Sequence, residues 1–119
     1  MNAKEIYENA LALDISYMED EDNIEEFAIR LLNILVAEVF LYNNQIRQKK
    51  GKAPLERPSK VKSMDGEIDC EGELYAPLCY GLAAKMLTAQ EETTLATIYN
   101  NQYVTLLEMV TPAVKVEVV

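Results

Sequence analysis

The sequence predicts a mainly α-helical protein: a small bundle of about four helices, with a long loop or hairpin between the second and third and a short C-terminal strand. Three observations carry this. Apolar residues recur every three or four positions through most of the chain. Gly51, Pro54 and Pro58 interrupt that pattern together in mid-chain. At 119 residues, half of them apolar, the chain suits a single domain over residues 1–119.

The first helix is expected over 3–13, where Ile6, Tyr7, Ala10, Leu11 and Leu13 share a face and Asn2 is available as N-cap. The acidic run Glu19 to Asp22 reads as a solvated turn. It leads into a second helix, from Ile24 to about Gln48, capped by Asp22 or Asn23, with Glu25 and Glu26 where the helix dipole favours negative charge. The middle of this helix, Leu31 to Tyr42, is apolar on nearly every face, interrupted by Asn33 and Glu38. In so short a chain, such a helix is either central to the fold or covered by another subunit. Leu35, Val39 and Phe40 are accordingly candidate oligomer contacts.

From Gly51 to about Gly72 the helical pattern stops, and Asp65-Gly66 suits a two-residue hairpin turn within residues 60–70. A third helix follows in "LYAPLCYGLAAKML". Pro77 lacks an amide proton, which suits a first turn. Gly81, with Ala83 and Ala84, removes bulk so that another helix, most naturally the last one, can come near. Thr88 and Glu91 have the spacing of a capping box opening that last helix, whose Leu95, Tyr99, Tyr103, Leu106 and Val110 recur at helical intervals until Thr111 and Pro112. Val114, Val116 and Val118 then line one face of an extended strand with no obvious partner in the chain. These three valines are the remaining candidate oligomer contacts.

The net charge of −9 conceals a division. Residues 1–46 and 63–119 are strongly acidic, whereas "RQKKGKAPLERPSKVK", residues 47–62, holds seven basic residues against Glu56. One basic segment on an acidic body makes a dipolar surface suited to docking. Lys49, Lys50, Lys52, Arg57, Lys60 and Lys62 are its candidate contacts, docking on a partner protein or lining a passage and meeting the phosphates of DNA. No aromatic side chain in the segment could stack on a base, which argues against sequence-specific binding.

Histidine is absent, which removes the commonest general base and metal ligand. Cys70 and Cys79 lack the spacing of a zinc or redox motif and read as free buried thiols. The acidic runs depart from a calcium loop at required ligand positions, and no phosphate-binding glycine motif or nucleophile elbow occurs. No cofactor, metal or catalytic residue is expected. The lack of a long apolar run or a signal-peptide pattern predicts a soluble cytosolic protein without a membrane partner.

The carboxy-terminal half, "DGEIDCEGELYAPLCYGLAAKMLTAQEETTLATIYNNQYVTLLEM", resembles the helical head-tail connector, or neck adaptor, proteins of tailed bacteriophages and prophages. The matching residues are Glu67, Ile68, Tyr80, Gly81, Leu82, Ala83, Ala84, Tyr99, Asn100 and Tyr103. The resemblance covers about 45 residues. The very acidic turn near the N-terminus departs from that pattern. The resemblance implies a non-enzymatic virion structural protein, made in the host cytoplasm and placed in the neck. There it would form a homo-oligomeric ring between portal and tail proteins through which packaged DNA passes. A cytosolic helical binding module or small regulator is the alternative.

Overall fold

The computed structural model describes residues 1–13 and 15–110. Among these the chain is mainly helical, with five α-helices, two short 3-10 turns and no named strand. Helix α1, Ala3–Leu11, buries Ala3, Ile6, Tyr7, Ala10 and Leu11, the one-sided spacing of an amphipathic helix. Asn2 caps it, its Oδ1 accepting the Lys4 amide at 2.8 Å. A 3-10 turn, Ser16–Asp20, then sets Met18 into the core and leaves Glu19 and Asp20 exposed. Helix α2, Ile24–Glu38, follows from Asn23, whose left-handed backbone (φ +60°) turns the chain without a side-chain cap.

The long helix expected from Ile24 to Gln48 is divided. At Val39 the backbone leaves helical geometry (φ −91°, ψ 5°), and α3 occupies Phe40–Lys49. Hydrogen bonds from Val39 to Leu35 and from Asn43 to Val39 persist across the break, so it is a bend rather than an end. The bundle therefore has five helices where about four were expected. Gly51 terminates α3: at φ +75° it occupies the left-handed position after the cap, while the Lys52 amide reaches back to the Arg47 carbonyl at 2.8 Å.

Helix α4, Tyr75–Ala89, follows a 3-10 turn at Gly72–Leu74. Pro77 is its third residue, inside the first turn where a missing amide proton costs nothing. Helix α5 is Thr93–Val110. The capping box expected to open it does not form. Thr88 lies in the last turn of α4, its hydroxyl donating to the Ala84 carbonyl at 2.8 Å. Glu91 takes a left-handed backbone (φ +61°), and the Glu91 and Glu92 amides donate to the Thr88 and Leu87 carbonyls. The Thr-x-x-Glu spacing thus marks the end of one helix rather than the start of the next, a pairing known from helices that stop at a left-handed residue.

The helix at the centre of the bundle is α4, packed against α1, α2 and α5. It buries Pro77, Leu78, Cys79, Gly81, Leu82, Ala83, Ala84, Met86 and Leu87, nearly all the way round. Gly81 is the notch that permits this. A methyl group there would lie 2.7 Å from Leu35 Cδ1 on α2 and 3.0 Å from Tyr103 Cδ1 on α5. Close approach serves α2 as well as the last helix. The ends of that contact are tied by Glu38, whose carboxylate accepts from Tyr103 Oη at 3.1 Å and from Lys85 Nζ at 2.8 Å. Burying each large aliphatic side chain of this core contributes about 1.5–3 kcal/mol, before ordering costs are set against it.

Leu35 and Val39 are fully enclosed by this core and offer no surface to a second subunit; Leu35 lies on the side of α2 turned toward Gly81 of α4. That corrects their assignment as oligomer contacts. Phe40 is half-buried. Val114, Val116 and Val118, with the expected C-terminal strand, lie outside the described residues.

Candidate interaction surface

The segment between α3 and α4 forms no hairpin. It is a two-limbed strap fixed to α2 and α3 by three asparagine side chains, each offering the acceptor and donor pair that a strand neighbour would otherwise supply. Asn33 accepts the Val61 amide at 2.7 Å and donates to the Val61 carbonyl at 2.9 Å. Asn44 does the same for Leu55, at 2.8 and 3.1 Å. The buried Asn43 holds the second limb, accepting the Glu71 amide at 2.8 Å and donating to the Asp69 carbonyl at 3.1 Å. Ser59 Oγ accepts the Asp69 amide at 2.9 Å and joins the limbs. The first limb, residues 55–62, thus runs antiparallel to the helices, covering a rise of about 16 Å between Asn44 and Asn33.

At the tip of the strap, Gly66 donates to the Ser63 carbonyl, closing the turn expected at Asp65-Gly66 in a different way. The tip then pairs with the N-terminal residues instead of with the other limb. The Ala3 and Lys4 amides, which α1 cannot satisfy internally, donate to the Gly66 and Met64 carbonyls at 3.0 Å. An isolated antiparallel bridge joins Asn2 and Glu67. Val61 and Ile68 anchor the two limbs in the core.

The six basic residues singled out in the sequence separate into two groups. Lys50 and Lys52 are consumed internally, with Arg47, by acidic residues of the second limb. Glu71 is the hub: buried itself, it receives Lys52 Nζ at 2.8 Å, Lys50 Nζ at 3.1 Å and Arg47 Nη1 at 3.5 Å. Lys50 also reaches Glu73 at 2.7 Å, and the Arg47 Nε donates to the Ala53 carbonyl at 2.8 Å. The hydrogen bonds from Lys52 and Lys50 hold the Glu71 carboxyl below its usual range, against the opposing effect of burial. That from Lys50 does the same for Glu73, and the two carboxylates raise Lys50 in return.

Lys49, Arg57, Lys60 and Lys62 are exposed and make no ion pair among the described residues. Three of them lie on the first limb, which the asparagines hold in place. Beside that limb, α2 and α3 present an apolar stripe at seven-residue spacing: Phe27, Ile34 and Leu41, the last two 52% and 71% exposed. The apolar excess of this helix is therefore only partly absorbed by the core. On the other side of the stripe, an open cleft of about 390 Å³ separates α2 from α5 over α4, lined by Leu31, Ile34, Ala84, Thr88 and Asn100. The outer side of α5 is also weakly charged, with Ile98, Val104 and Met109 exposed.

Burial pushes the Cys70 and Cys79 thiols up to about 11, so both are protonated at neutral pH. The described residues contain no group of three His, Cys, Asp or Glu placed to hold a metal ion. No described helix is long and apolar enough to cross a membrane. The Tyr7 hydroxyl is buried without a hydrogen-bond partner.

The residues that organise this surface, Asn33, Asn43, Asn44, Arg47 and Glu71, were not candidates from the sequence. A signal for three of them exists: asparagine is a poor helix former, and it interrupts an otherwise apolar run in α2 and heads a polar pair in α3. Comparison with known protein families, with curated proteins and with solved structures finds no match.

Proposed function

We propose that this protein is a non-enzymatic assembly subunit of the head-tail connector type, forming an oligomeric ring at a phage portal through which DNA passes. The observation that carries the reading is the exposed Phe27–Ile34–Leu41 stripe beside a rigidly held limb of unpaired cations. A chain that functions alone gains nothing from keeping such a surface in water, since covering it would release roughly 25 cal/mol for each Å² of apolar area. Fixed cations next to an apolar strip favour docking on protein, because the charges select the register and the strip supplies affinity. The portal, neighbouring copies and the next neck component are the partners this reading assigns.

The test is assembly on purified portal rings, scored by sedimentation and negative-stain images. Regular decoration of the portal, lost in the Ile34→Glu variant while the helical signal and melting temperature are retained, is the expected result. Absence of binding to portals and to DNA-filled heads would overturn the reading. In that case a helical regulator docking a different acidic protein becomes the better account of the same surface.

A further inference from the structure

We propose that the first limb of the strap is a receptor for the acidic turn Glu19–Asp22 of a second copy of this chain, so that subunits join head to tail. The inference deepens the ring reading, and rests on it for closure of the chain of contacts into a ring.

Two exposed, oppositely charged and preformed patches occur on one molecule. The first is the limb bearing Arg57, Lys60 and Lys62, with Lys49 at the end of α3. The second is the turn before α2: Glu19, Asp20, Glu21 and Asp22 are all exposed. Glu21 accepts from Gln90 Nε2 at 2.9 Å, and none of the four is in an ion pair among the described residues. Neither patch can neutralise the other within the same chain. Val61 is pinned beside Asn33, nine residues along α2 from Ile24, a rise of about 14 Å. Arg57 follows Leu55, which is pinned beside Asn44, about 30 Å along the helices from Ile24. These separations exceed the Debye length of about 8 Å at physiological ionic strength.

The strap shows what happens to cations of this chain that can reach carboxylates: Arg47, Lys50 and Lys52 are all paired. The four left over make no ion pair among the described residues, and the turn offers carboxylates on the next copy. Because the patches differ, a limb–turn contact leaves one patch of each kind free, and head-to-tail repetition of it builds rings or filaments. Nucleic acid is the less suitable occupant. A long polyanion lying on the limb would also meet the acidic remainder of a chain with net charge −9, whereas a four-residue acidic turn meets only the limb.

The experiment uses two charge-reversed full-length chains, one carrying Arg57→Glu, Lys60→Glu and Lys62→Glu, the other Glu19→Lys, Asp20→Lys and Asp22→Lys. Circular dichroism melts confirm that each is folded, as expected for exposed positions. Sedimentation velocity in 50 and 500 mM NaCl, on the order of conditions that separate screened from unscreened contacts, then reads association. Wild type is expected to self-associate in the low salt and to weaken as salt rises. Each variant alone is expected to lose at least tenfold in association, and the equimolar mixture to recover it, since reversed limb and reversed turn are again complementary. A wild type that stays monomeric, a variant that associates like wild type, or a mixture that does not recover would overturn the contact. Loss of binding to a short DNA duplex in the limb variant, with self-association unchanged, would overturn it in favour of a polyanion site. Portal decoration is scored separately: its failure with self-association intact sinks the connector reading and leaves this contact standing.

Discussion

Gly81 shows how one missing methyl group can set the spacing of three helices. Its sequence context, small residues at 81, 83 and 84, already indicated a close helix contact. What the sequence could not show is that the notch receives two neighbours, Leu35 as well as Tyr103, because the pairing of α2 with α4 depends on long-range packing. The Leu35 methyl can rotate away, but the Tyr103 ring is fixed by its hydroxyl bond to Glu38, so Gly81→Ala forces either the ring or the helix to move. Overpacking of this kind costs about 1–3 kcal/mol, against a gain in helix propensity of about 1 kcal/mol. Urea unfolding of the variant is therefore expected to show a net loss of up to about 2 kcal/mol. A midpoint at or above wild type would show that the three helices are not locked at this point.

The elements were legible where apolar periodicity was one-sided. α1 and α5 lie close to their expected spans for that reason. The failures lie at helix ends and in the strap. Thr88 and Glu91 satisfied a capping pattern by spacing alone, yet the chain uses Glu91 to stop α4. Both α3 and α4 end in the same left-handed geometry, with Gly51 at φ +75° in one and Glu91 at φ +61° in the other. Glycine adopts that conformation freely, whereas a residue with a Cβ pays about 1–2 kcal/mol. Glu91→Gly is accordingly expected to stabilise the protein by roughly 0.5–1 kcal/mol, after the extra freedom of glycine in the unfolded chain is deducted. A denaturation midpoint that falls would mean Glu91 has a compensating role at the turn. The hairpin expected near Asp65-Gly66 failed because the strand partners are not neighbouring strands at all. Asparagine amides of α2 and α3 occupy those positions, and sequence periodicity contains no term for a side chain that imitates a strand.

Across the whole molecule, the strap connects the C-terminal end of α3, the start of α1 and the entry to α4, with Glu71 holding its base. The charge division was legible from composition, but its internal settlement was not, because which cations meet carboxylates depends on how 69–73 returns past α3. Glu71 titrates below its ordinary value of 4.5, so the stability it contributes is present above that pH and is lost as pH falls through the lowered value. Glu71→Gln is expected to cost about 1–2 kcal/mol at pH 7, the scale of charge-assisted bonds discounted for half-exposed lysines. Its stability curve is then expected to converge on wild type as pH falls through the lowered value and Glu71 becomes protonated. Urea midpoints from neutral pH to acid check this; parallel curves would show that the cations around Glu71 contribute nothing. The same topology fixes an order of events during synthesis. Ile6 and Leu11 of α1 pack in a core whose central helix begins only at Tyr75, and the first amides of α1 bind backbone from the strap tip. Roughly the first three-fifths of a nascent chain therefore lacks the helix that covers most of its apolar faces, until α4 leaves the ribosome and the bundle closes around it.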